Sequence, residues 1–86
     1  MRVEKKCWPK YFQKIIDGDK TFELRLADFD CAPGDTLALR EWDPETEKYT
    51  GREIEKVITY VLKTKELKFW NDADVEKYGL QILSFK

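Results

Sequence analysis

The sequence predicts an α+β fold that is mostly β, a small and mainly antiparallel barrel of about five to six strands with one N-terminal amphipathic helix. Three observations lead there. The chain has 86 residues, room for a single domain over residues 1–86. Short runs of period-two alternation recur, bounded by Gly, Pro, Asn or Asp. Helical spacing of apolar residues is clear only before Gly18.

Residues 2–6 form a short opening strand. Pro9 suits the first helical position, where a missing N–H costs nothing, and Tyr11, Phe12, Ile15 and Ile16 share one face of a helix running to about Asp17. Lys10, Gln13, Lys14 and Asp17 take the other face, and Gly18 takes the left-handed cap. In residues 21–26, Thr21, Glu23 and Arg25 alternate with Phe22, Leu24 and Leu26, giving a strand with one wet and one buried face. Pro33-Gly34-Asp35 is a turn. Residues 36–42 form the next strand, with Leu37 and Leu39 inward. The polar stretch 43–51 is a hairpin connection, and the β-branched run 52–63 is a strand long enough to need a bulge. Segment 65–77 is the least regular, with Asn71 or Asp72 capping one short helix that contains Val75. Residues 80–85 close the barrel.

Sixteen Lys plus Arg against seventeen Asp plus Glu leave a net charge of −1, so no general positive field draws the chain onto duplex DNA. Any nucleic-acid contact must be local. The charged start, Arg2 to Lys6, is unlike a signal peptide, and the longest apolar run is too short for a bilayer. A cytoplasmic location, away from membranes, is the expectation. In that compartment Cys7 and Cys31 are expected as buried thiols rather than a disulfide. Histidine is absent, which removes the commonest zinc ligand and the commonest neutral-pH general base. No cofactor and no metal are expected, and no signal for an oligomeric state is present.

Gly18-Asp19-Lys20-Thr21-Phe22-Glu23-Leu24-Arg25 has the form G-x-K-x-x-E-x-R directly after the helix. It resembles the signature of ASCH domains, which are PUA-like barrels linked to RNA. The order of helix, signature strand, Pro-Gly-Asp turn, strand ending in Glu41-Trp42, hairpin and closing strand is similar over nearly the whole chain apart from 65–77. A short uncharacterised ASCH-related family, in which Thr-Phe-Glu-Leu-Arg and a Trp-Asp-Pro-Glu-Thr hairpin recur, is the most similar. The resemblance implies a PUA-like barrel with a cleft beside the helix, lined by Lys20, Glu23 and Arg25, that takes RNA or a modified nucleoside or nucleotide.

The chemistry of these side chains suits that ligand class. Arg25 offers a planar fork for a phosphate or base edge, Glu23 accepts from an exocyclic amine, and Lys20 adds a point charge. Thr21 shares the strand face, and Trp42 can stack a base, so the expected binding set is Lys20, Thr21, Glu23, Arg25 and Trp42. The alternative is a small amidohydrolase of acetylated cytidine, in which Lys20 is nucleophile or base and Glu23 passes the proton. The ASCH enzyme of that type carries threonine where this chain has Glu23, and it needs a downstream glutamate, for which Glu41, Glu53 and Glu55 are equal candidates. A third reading is an adaptor presenting Trp42 and Trp70 to a protein partner. Against all three stand plainer roles: a surface Glu23–Arg25 pair worth ~0.5 kcal/mol, cross-strand packing of Trp42, Tyr49 and Arg52, and Phe69-Trp70 packed under a loop.

Overall fold

The structure, a computed structural model, describes residues 1–85. Its centre is a three-stranded sheet in the order β1-β2-β3, formed by β1 (Arg2–Cys7), β2 (Thr36–Asp43) and β3 (Lys48–Val57). β1 runs parallel to β2, from Arg2 opposite Thr36 to Cys7 opposite Glu41, while β2 and β3 form an antiparallel hairpin. A parallel neighbour needs a crossover, which α1 (Pro9–Ile16) and the residues after it supply. A short 3-10 turn at Thr64–Glu66 and α2 (Asp72–Tyr78) follow β3.

The closed barrel of about five to six strands expected from pattern and resemblance does not form. Among the described residues the sheet is open and three-stranded, and one of its two pairings is parallel. Residues 21–26 and 80–85 alternate as strands should, yet join no ladder, and the run 52–63 keeps strand pairing only to Val57. Alternation states which face is wet but not which neighbour supplies the hydrogen bonds. Phe22, Leu24 and Leu26, expected inward, remain exposed. The hairpin turns earlier than its composition suggests: Glu47 N–H donates to the Asp43 carbonyl at 2.8 Å, and Glu47 itself adopts φ 56°. Lys48 is therefore already in β3, and the register shift lies between Arg40 and Trp42.

The core follows the helical stripe. Phe12 and Ile15 of α1 pack on Cys7 and Leu39, with Leu37 and Ile54 partly buried against them. Burying Phe12 and Leu39 contributes roughly 1.5–3 kcal/mol each. The expected capping of α2 is present, since the Asn71 side chain accepts from the Asp74 N–H at 2.8 Å.

Gly18 ends α1 with φ +82°, and the amides of Asp19 and Lys20 then both donate to the Lys14 carbonyl at 3.0 Å. A Cβ at Gly18 would meet nothing within 4 Å. The cost of Gly18→Ala is therefore conformational rather than steric, about 1–2 kcal/mol for the left-handed backbone. Urea unfolding should show that loss with the sheet's circular dichroism unchanged.

Candidate functional site

The turn at Gly18 decides where Lys20 points. Because Asp19 and Lys20 are tied back to Lys14, strand alternation has not begun at Lys20, and its side chain meets Glu23 three residues on. Lys20 Nζ donates to Glu23 Oε1 and to the Phe22 carbonyl, both at 2.6 Å. Glu23 Oε2 accepts from Arg25 Nε at 2.9 Å, and Arg25 Nη2 donates to the Lys6 carbonyl of β1. Lys20, Glu23 and Arg25 thus form one continuous charged chain fastened to the sheet, with the anion between two cations. Lys20 and Glu23 are only 15% and 16% exposed, far from the open surface pair that the motif alone allows.

This chain lines a cavity of about 400 Å³, a size common for small-molecule sites. Ile15, Leu37 and Leu39 form its apolar floor, residues 56–63 its far wall, and Thr21 and Cys31 lie on its lining. The apolar floor lowers the local dielectric and strengthens polar contacts made above it, while Lys56 and Lys63 add charge to the far wall. Arg25 Nη1, the second Nη2 proton and the third ammonium proton of Lys20 have no hydrogen-bond partner among the described residues, so both cations keep donors for a ligand, with Lys20 Nζ 4.8 Å from the Phe22 ring centre. The Thr21 hydroxyl lies 2.6 Å from that of Ser84.

Trp42, expected in the same site, is not on the cavity lining. The register shift pairs it with Tyr49 at the hairpin, where Lys6 Nζ sits 4.5 Å from its ring centre, while Arg40 stacks 3.7 Å from the Tyr49 ring. Lys5 covers Phe29 at 3.8 Å. Phe69 and Trp70 meet edge-to-face at 5.5 Å, and both are exposed rather than tucked under a loop.

Of the three downstream glutamates, Glu41 stands apart. It is 4% exposed, and its carboxylate accepts from Arg52 Nε at 3.0 Å, Arg52 Nη2 at 2.8 Å and the Thr50 hydroxyl at 2.5 Å. The Arg52 guanidinium holds the carboxyl below the usual range against the opposing effect of burial, and Thr50 adds to the lowering. The signal was present in the sequence: Leu37 and Leu39 are inward positions, so period two puts Glu41 inward as well. Glu53 and Glu55 both bond Arg2, so each of the three is committed to an arginine. Burial pushes the Cys7 thiol up, the charge of Glu23 adds to this, and Lys20 and Arg25 act the other way. Both cysteines are free, Cys7 buried and Cys31 only partly so.

Among the described residues, no cluster of three or more His, Cys, Asp or Glu could hold a metal ion. Likewise no helix is long and apolar enough to cross a membrane. A family described as a domain of unknown function, DUF3850, matches residues 4–74. The chain belongs to the DUF3850 family. The DUF3850 match begins inside β1, takes in β2, β3, α1, the Lys20–Glu23–Arg25 chain and the cavity walls, and ends inside α2. An uncharacterized 12.9 kDa protein in the GpA 3′ region of Escherichia phage P2 is 41% identical over 58 residues, covering 67% of this chain and 51% of the relative. The chain thus spans about half the length of that relative. No solved structure matches significantly.

Proposed function

We propose that the cavity beside α1 binds a nucleotide-like ligand, a modified nucleoside or an exposed base of single-stranded RNA, through Lys20, Glu23 and Arg25. The observation carrying this reading is that the three motif side chains make one hydrogen-bonded chain on the lining of a cavity with an apolar floor. Such a hollow takes a flat, weakly polar body, while the spare cationic donors take a phosphate or a carbonyl edge. The resemblance of residues 18–25 to the ASCH signature points to the same ligand class, and a cytoplasmic location belongs to this reading.

The amidohydrolase alternative is less well supported. An attacking Lys20 would have to act while tethered to both Glu23 and the Phe22 carbonyl, and Glu41, Glu53 and Glu55 are all held by arginines. The adaptor reading has Trp70 exposed, but Trp42 is covered by Lys6.

Calorimetric titration with cytidine monophosphate, adenosine monophosphate, acetylated cytidine and a short single-stranded RNA tests the proposal. At least one should bind saturably. Arg25→Ala should weaken that binding about tenfold or more, the scale of one lost charge-assisted hydrogen bond. Acetylated cytidine should come through unchanged. The absence of saturable binding by any of the four would sink the reading.

A further inference from the structure

The chain as described is more open than its mass requires. A compact domain of 10.3 kDa exposes about 5,400 Å² with a radius of gyration of about 12 Å. This one exposes 7280 Å² with a radius of 14.7 Å. Much of the uncovered apolar surface lies in two places. One is the cavity, whose lining residues Leu26, Tyr60 and Leu62 are exposed; the other is residues 80–85. The two already touch, through the 2.6 Å contact between the Thr21 and Ser84 hydroxyls. Leu80 at 53% and Ile82 at 47% are less exposed than Leu83 at 74% and Phe85 at 87%. In an extended chain Leu80, Ile82 and Ser84 share a side, so the side that brings Ser84 onto Thr21 also carries Ile82 and Leu80, the latter now lying beside Trp70 and Tyr78.

We propose that residues 80–85 are a strap that closes the cavity, seating Leu80 and Ile82 over its mouth while the Thr21–Ser84 contact fixes its far end. Gly79, with φ 68°, is the pivot between α2 and the strap. The strap is a better cover than a second copy of the chain because its far end is already in place: closing a short tethered loop costs far less than bringing together two free molecules. The site proposed above then has a wall that ligand must pass, and residues 80–85 govern access to it. This role rests on that cavity being the binding site, but closure itself needs no ligand.

Small-angle scattering on the full chain without ligand, with mass determined from the same data, tests the strap alongside a Leu80→Glu/Ile82→Glu double variant. The expected result is a monomer with a radius near 12 Å, and a variant about 2 Å larger whose circular dichroism is unchanged, because neither side chain reaches the core. A wild-type radius staying near 14.7 Å, or equal radii for the two proteins, would overturn the strap. A dimeric mass would overturn it too, naming a second copy as the cover. The two readings fail separately. Closure without nucleotide binding removes only the ligand, and nucleotide binding by a chain that stays open removes only the strap.

Discussion

Replacing Phe12 by alanine should cost the domain about 3–5 kcal/mol of unfolding free energy. The side chain is 1% exposed, sits among Cys7, Ile15 and Leu39, and is the largest fully buried group together with Leu39. Its loss removes the transfer energy of a whole ring and leaves a void that the sheet, fixed by two ladders, cannot close. The Arg52 guanidinium lies 4.8 Å from the ring centre, so the same change unroofs the floor on which the Glu41 pair rests. An 86-residue chain has only about 4–13 kcal/mol to lose, so the variant should give up a large share of its stability. Tyr11→Ala, one position along and roughly half exposed, is the matched control and should cost well under half as much. In urea the Phe12→Ala midpoint should fall steeply with an unchanged slope; equal losses for the two variants would mean that the helix stripe is not what anchors α1.

That stripe was also the most legible part of the sequence. Pro9, the apolar spacing and Gly18 define α1 to within one residue, because helix signals are local and each comes from a few neighbouring side chains. The turn at Pro33 to Asp35 and the strand through Leu37 and Leu39 were readable for the same reason. Strand partnership was not. Nothing local in residues 21–26 distinguishes a paired strand from an extended segment lying over a cavity, and nothing in residues 2–6 says that their neighbour runs parallel. In the site, the Glu23–Arg25 contact follows from same-face spacing, whereas the Lys20–Glu23 contact depends on the backbone turn after Gly18, which alternation does not describe. Trp42 was misplaced because a register shift beside it sends it to the hairpin rather than to the cavity. Glu41 was readable by parity, but among three glutamates of equal standing the one that needed an arginine partner was not picked out.

Glu41 leads to the second large effect, a loss of stability in acid that one substitution should remove. Its carboxyl titrates below its ordinary value in the folded protein, chiefly through Arg52. The unfolded chain therefore binds the proton more readily, and stability rises with pH. Glu41's contribution is complete above the usual glutamate value of about 4.3 and disappears as pH falls through its lower folded value. Glu4 and Asp35 shift in the same direction, Glu4 through Arg40 and then Arg2, Asp35 through the N-terminal ammonium, but Glu4 is itself open to water and salt and the ammonium beside Asp35 is half exposed, so both pairs are screened. Glu41→Ala should cost about 2–3 kcal/mol at pH 7, allowing for the half-exposed Arg52 that keeps its own hydration. Toward lower pH the same substitution should cost progressively less, because the wild-type carboxyl then takes up its proton and the pair is lost. Glu41→Gln keeps an acceptor for Thr50 and Arg52 but cannot titrate, so its stability should change less than that of the wild type between pH 5 and pH 3. Equal acid slopes for wild type and Glu41→Gln in urea unfolding would place the acid sensitivity elsewhere in the chain. The pair would then be a contact of geometry alone, and the carboxylate would not be what holds the end of β2 to β3.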